Sequence, residues 1–270
     1  MDTMLEKKNS LNELQNKIHV HLEELIQATD KARISQEMLR FFDFCGRFHQ
    51  YSANNIWLIL MQCPHATHVA GFQKWKSMKR WVRKGEQGIA VLAPLLIKED
   101  EKDGLEKQSL VGFKTVFVFD VTQTEGAPLP PVPDWKSPAQ NAILQSKLIR
   151  FAQNQKISIS VEALPGECQG LSMGGRIKLS PDAGTKTLVH ELGHELLHRK
   201  PDAPVDRATR EAEAESVAYA VCKYYGLDQL NSPNYLALWG LTSEQLNHLL
   251  DRIHTTVSEI ISALELLESA

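Results

Sequence analysis

His190 and His194 stand four residues apart in the run Thr187-Leu-Val-His-Glu-Leu-Gly-His-Glu-Leu-Leu-His198. In an α-helix, positions i and i+4 lie on one face, so both imidazoles can address a single metal ion. Glu191 follows the first histidine and sits beside that face, where its carboxylate reaches a metal-bound water rather than the metal. Two neutral imidazole ligands and one carboxylate base are the division of labour of a zinc-dependent hydrolase. The ion brings the pKa of its water to about 7 and polarises a carbonyl, and the base takes the proton. Keeping one position open for water requires a third protein ligand. The stretch Arg210-Glu-Ala-Glu-Ala-Glu-Ser-Val-Ala-Tyr-Ala-Val-Cys222 offers three carboxylates on a run of strong helix formers. Glu211 and Glu215 share a face with Ala218 and Cys222, whereas Glu213 lies toward Ala214, Val217 and Val221. His198, one turn beyond His194, reads as structural or as a partner of the ligands, and Tyr219 as a minor candidate for oxyanion stabilisation.

These groups need two helices and something to hold them. Before the histidine run, Gly174 to Ser180 alternates like an edge strand, and Pro181 to Thr185 breaks it and can cap a helix. Leu188, Leu192 and Leu196 supply apolar contacts away from the histidines, and Pro201 and Pro204 stop the helix. Farther out, Asn141 to Gln155 has helical spacing and Ile157 to Val161 alternates as a strand. Tyr235 to Trp239 and Leu241 to about Glu268 close the chain as helices. Upstream, Ser10 to about Thr29, Asp30 to about Tyr51 and Asn54 to Met61 read as helices. Ile89 to Pro94 and Leu110 to Asp120 read as the two strands of a hairpin, with the charged segment Lys98 to Gln108 at its tip. Prolines at 128, 130, 131, 133 and 138 mark a stiff crossing, and the domain boundary is placed there. The expected fold class is therefore α+β, with domains at 1–130 and 131–270.

At 270 residues and 43% hydrophobic content, the chain has material for roughly two domains. A formal net charge of −3 means that a nucleic-acid partner has to be held by a local patch. No apolar run reaches the roughly 20 residues that span a bilayer, and Cys45, Cys63, Cys168 and Cys222 lack Cys-x-x-Cys spacing. The expectation is a cytoplasmic protein with reduced thiols and no membrane partner.

One local patch qualifies. Lys74, Lys76, Lys79, Arg80, Arg83 and Lys84 fall within eleven residues, interleaved with Trp75 and Trp81. Cations neutralise phosphates and aromatic rings stack on unpaired bases, the combination used by sequence-tolerant single-strand binders. From composition alone, a solvated helix face with two core tryptophans is an equal alternative.

Resemblance adds to these readings. The acidic helix resembles that of gluzincins, in which the ligand glutamate is followed four residues later by a residue that steadies a ligand histidine. The match implies Glu211 as ligand and Glu215 as its outer partner, with Glu213 the runner-up. Tyr51-Ser-Ala-Asn-Asn-Ile-Trp-Leu-Ile, Ala70-Gly-Phe-Gln-Lys-Trp, Val82-Arg-Lys-Gly-Glu-Gln-Gly-Ile and Phe119-Asp-Val-Thr-Gln-Thr-Glu-Gly resemble the N-terminal domain of ArdC-type antirestriction proteins of mobile elements. Met78-Lys-Arg-Trp81 departs from the Leu-Gly that this family often shows. Arg210 to Tyr219 also resembles that family and, more loosely, ImmA/IrrE-type metallopeptidases. The resemblance implies an N-terminal helical and β-hairpin domain that binds single-stranded DNA and a zincin-like metallopeptidase domain with a small mixed sheet. It also implies Zn2+, or another divalent ion such as manganese, held by His190, His194 and Glu211 with Glu191 as base. A repressor or restriction component is the implied protein substrate.

Overall fold

The computed structural model describes residues 2–28, 31–100, 106–129, 138–199, 203, 204, 206–227 and 241–267. The segment expected to be helical at Tyr235 to Trp239, the terminator Pro201 and the tip of the hairpin lie outside them. The chain divides into two compact units, Met1–Glu24 with Asn54–Leu129, and Leu25–Ala53 with Pro130–Ala270.

In the first unit, helix α1 (Asp2–Gln27) buries Leu14, Ile18 and Leu22, and α3 (Ala53–Gln62) buries Ile56, Trp57, Leu58 and Ile59. Strand β1 (Val69–Gly71), helix α4 (Phe72–Ser77) and β2 (Arg80–Val82) precede the long hairpin of β3 (Ile89–Asp100) and β4 (Glu106–Asp120). The hairpin thus runs further into the charged segment than the apolar pattern indicates. β1, β4 and β3 form an antiparallel sheet in that order, and β2 pairs with β5 (Thr124–Gly126). The open edge of β3 is covered by side-chain amides. Asn55 donates to Leu92 O at 2.8 Å and accepts from Leu92 N at 2.7 Å, and Gln62 makes the same pair of bonds to Ala90 at 2.9 and 3.0 Å. Two helical residues thereby satisfy backbone groups that a further strand would otherwise take.

The second unit includes α2 (Lys31–Arg47), whose Phe41, Phe42 and Cys45 are buried and which packs on α7 (Arg207–Tyr224) and α8 (Ser243–Leu266). Residues 25–53 are thus grouped with the C-terminal half, whereas a single cut near 130 would leave them in the N-terminal one. α5 (Pro138–Asn154) leads to a mixed sheet of β6 (Ser158–Val161), β7 (Gly170–Ser172) and β8 (Arg176–Leu179). The order is β6-β8-β7, with β6 parallel and β7 antiparallel to β8. The strand expected at an edge is therefore central: Ile177 is fully buried, and β7 takes the edge. α6 (Thr185–His198) follows, with Gly184 at its N-cap, and α8 starts on a Thr242–Gln245 capping box. Among the described residues no helix is long and apolar enough to cross a membrane. The α+β expectation is met.

Candidate metal centre and basic segment

α6 and α7 approach closely because the residues between them are small. A Cβ on Gly193 would lie 3.2 Å from Ala214 Cα, so glycine is what permits this spacing. The approach brings the histidine face of α6 against the glutamates of α7. His190 Nε2 and His194 Nε2 are 3.1 Å apart, and Glu211 Oε2 lies 3.4 Å from the first and 3.5 Å from the second. Metal–ligand bonds of about 2.0–2.1 Å at a tetrahedral angle put neighbouring ligand atoms about 3.3–3.4 Å apart. The triangle of two imidazole nitrogens and one carboxylate oxygen therefore has the size of one face of a four-coordinate divalent site. Among the described residues these three are the cluster of this kind that could hold an ion. They line a cleft of about 880 Å³, together with Glu191, Lys186, Arg207 and the β7 edge.

Each histidine is held from behind. His190 Nδ1 lies 3.2 Å from Glu215 Oε2, and Glu215 Oε1 accepts from Lys186 Nζ. His194 Nδ1 lies 2.9 Å from His198 Nδ1, and His198 Nε2 lies 2.9 Å from Glu213 Oε2. Glu213, only 1% exposed, also faces Arg252 Nε at 3.3 Å, the distance of an ion pair without hydrogen-bond alignment. Glu213 is thus occupied away from the triangle, and Glu211 is the carboxylate that faces it. Glu191 is buried against β7, where a Cβ on Gly170 would come within 2.7 Å of its Oε1. Burial pushes the Glu191 carboxyl above the usual carboxylate range; the charge of His190 opposes this and that of Glu211 adds to it. Burial and the neighbouring His190 push His194 down to about 4. Burial would also lower His190, but the hydrogen bond to Glu215 and the charges of Glu191, Glu215 and Glu211 outweigh it and raise that ring. Tyr219 does not line the cleft.

Sequence reasoning missed Glu195. Its fully buried carboxylate accepts from Ser172 Oγ at 2.7 Å and from the backbone N–H of Met173, Gly174 and Gly175 at 3.1, 2.8 and 2.5 Å. The β7–β8 turn, with positive φ at Gly174 and Gly175, is thereby clamped to α6. A glutamate next to His194 was visible in the sequence, but its distant backbone partners were not.

The basic segment is not one surface. Trp75 is 2% exposed and its Nε1–H donates to Phe119 O at 2.9 Å, which makes it a core residue rather than a stacking platform. Arg80 is spent on Thr124 and Ala127 and lies over the Trp75 ring at 5.9 Å. Arg83 bonds Glu86 and Thr122 O at 2.8 and 2.6 Å. Lys74, Lys76, Lys79, Lys84 and Trp81 are exposed.

Comparison with known proteins bears on this half. Residues 8–119 match the family model for the N-terminal domain of anti-restriction factor ArdC. That segment is therefore similar to the N-terminal domain of ArdC. An uncharacterized protein of Bacillus anthracis is 27% identical over 283 residues, covering 85% of this chain and 48% of that protein, so the chain spans about half the length of this curated relative. Two crystal structures of the antirestriction ArdC protein from the R388 plasmid are similar at 19% identity. The metal-free one has a TM-score of 0.43 and covers 81% of this chain and 83% of that one; the Mn(II)-bound one has a TM-score of 0.45 and covers 80% and 88%.

In and just beyond the matched segment, residues that carry the resemblance build the fold. Asp120 is fully buried and accepts from Thr67 N, His68 N, Thr122 N and Thr122 Oγ1, and Asn55 pairs with β3. What the domain exposes instead are aromatic rings that the composition did not single out. Phe117 is 59% and Phe113 41% exposed on one face of β4, and Phe72 also faces solvent.

Proposed function

We propose that this chain is an antirestriction protein whose N-terminal unit binds single-stranded DNA and whose C-terminal unit hydrolyses peptide bonds at a divalent-metal centre of zincin-like type. The observation that carries the proposal is the triangle of His190 Nε2, His194 Nε2 and Glu211 Oε2, with sides of 3.1, 3.4 and 3.5 Å. Neutral nitrogens plus one carboxylate suit Zn2+ best and admit other divalent ions. A bound ion supplies a Lewis acid and an acidified water. Everything else falls to the chain's own groups. Glu215 and His198 orient the two rings so that Nε2 of each faces the cleft. Glu191 takes no part in holding them, and its buried, raised carboxyl is suited to taking a proton from the attacking water and passing it to the leaving amine. The β7 edge closes the cleft beside it.

Single-strand binding rests on exposed Lys74, Lys76, Lys79, Lys84 and Trp81 and on the aromatic face of β4. Lysines would meet phosphates and rings would stack on bases without reading sequence. The test combines metal analysis, proteolysis of an unfolded protein, and binding of single- and double-stranded oligonucleotides, for wild type and Glu191→Gln. The proposal expects bound metal and single-strand binding in both proteins, with proteolysis in wild type alone. If Glu191→Gln also retains full antirestriction activity in cells, the metal centre serves architecture and the protein acts by coating DNA.

A further inference from the structure

We infer that His198, Glu213 and Arg252 form a buried positioning chain that fixes His194 as an Nε2 ligand, so that helix α8 helps to set the affinity of the metal centre. The inference rests on the metal reading above. Three elements contribute to the chain: His198 follows His194 by one turn on α6, Glu213 comes from α7 and Arg252 from α8. The side chains of His198, Glu213 and Arg252 are 7%, 1% and 11% exposed. Proton positions follow from the far end inward. A carboxylate only accepts hydrogen bonds, so His198 must present N–H at Nε2, which lies 2.9 Å from Glu213 Oε2. With that proton on Nε2, the Nδ1 of neutral His198 is an acceptor. His194 Nδ1, 2.9 Å away, must then carry the hydrogen. The lone pair of His194 is left on Nε2, the atom that faces His190 and Glu211. A ring free to flip or to exchange tautomers would present a protonated nitrogen to the ion part of the time. Arg252 keeps the carboxylate at the end of the chain compensated, and its Nη2 also donates to Leu197 O at 3.2 Å, which ties α8 to the last turn of α6. The chain behind His190, through Glu215 to Lys186, is more exposed, at 22% and 29%.

The test is Zn2+ titration of the full chain against a chromophoric chelator, for wild type, His198→Ala, Glu213→Gln and Arg252→Leu, with circular dichroism to establish folding. Each folded variant is expected to bind zinc about 10–100-fold more weakly, as for losses of outer partners of metal-bound histidines. Because a buried pair is broken, some variants will be poorly folded, and imidazole 15N NMR of wild type decides independently. It should show the proton on Nδ1 of His194 and on Nε2 of His198. Unchanged zinc affinity in the folded variants, or the opposite tautomers in wild type, would overturn the positioning chain while leaving the metal centre standing. A wild type that takes up no zinc removes the metal reading and this inference with it.

Discussion

His190 Nδ1 lies 3.2 Å from Glu215 Oε2, four residues beyond Glu211, so one face of α7 presents both an oxygen of the candidate metal centre and the carboxylate that partners the His190 ring. Glu215 is itself held by Lys186, and its hydrogen bonds to His190 and Lys186 keep its carboxyl below the usual range although burial would raise it. Glu215→Ala should weaken Zn2+ binding about 10–100-fold in a chelator competition, with a smaller loss for Lys186→Ala. Equal affinity in Glu215→Ala and wild type would show that the ring is oriented by other means.

Gly170 gives a second test. A Cβ there would sit 2.7 Å from Glu191 Oε1, 2.8 Å from Glu191 Cγ and 2.8 Å from Thr187 Cγ2. Gly170→Ala should displace the Glu191 side chain while leaving the three ligands in place. The expected outcome is unchanged metal content with hydrolysis reduced about 10²–10⁴-fold, the usual contribution of a positioned base. Parallel loss of metal would place the disturbance elsewhere.

The two tryptophans of the basic segment should separate cleanly. Trp75→Ala empties a buried site and should cost about 3–5 kcal/mol in denaturant unfolding. Trp81, 51% exposed, should change stability by less than about 0.5 kcal/mol on conversion to alanine. If Trp81 stacks on a base, that change should weaken binding of a single-stranded oligonucleotide by about 1–3 kcal/mol. Undiminished binding would remove Trp81 from the interface.

His254 makes stability depend on pH. Burial holds it below the ordinary histidine range of about 6.5, with His49 adding to this and the bond to Tyr51 O and the charge of Asp251 opposing it. The folded state therefore binds this proton less readily than the unfolded state. The contribution of His254 is fully present above about pH 6.5 and is lost as pH falls through the depressed folded value. Urea midpoints should drop as pH is lowered from about 7.5 to about 5, and His254→Gln should flatten that dependence. An unchanged slope would assign the titration to other groups.

Much of the candidate metal centre was legible because helical period is local. The i,i+4 histidines, the i,i+4 pair Glu211 and Glu215 and the inward lean of Glu213 all follow from about 3.6 residues per turn, and all three relations recur in α6 and α7. What failed to read was non-local. Alternation in Gly174 to Ser180 gave the faces of β8 but not its neighbours, so a central strand looked like an edge. Interleaved cations and tryptophans gave the composition of a binding surface but not which rings are covered, and Trp75 proved to be core. An amphipathic helix such as α2 shows that one face is buried without showing against what, so a boundary placed near 130 carries no information on the grouping of 25–53 with the C-terminal half. Arg252 lies 39 residues beyond Glu213 in the chain, and no periodicity links the two.

Metal content after exhaustive dialysis decides whether His190, His194 and Glu211 hold an ion, measured for wild type, His190→Ala, Glu211→Ala and the control Glu86→Ala. About one equivalent of divalent metal per chain is expected in wild type and control, and almost none in the histidine and glutamate variants. A wild type that retains no metal, or a folded Glu211→Ala protein that retains as much as wild type, would contradict this expectation.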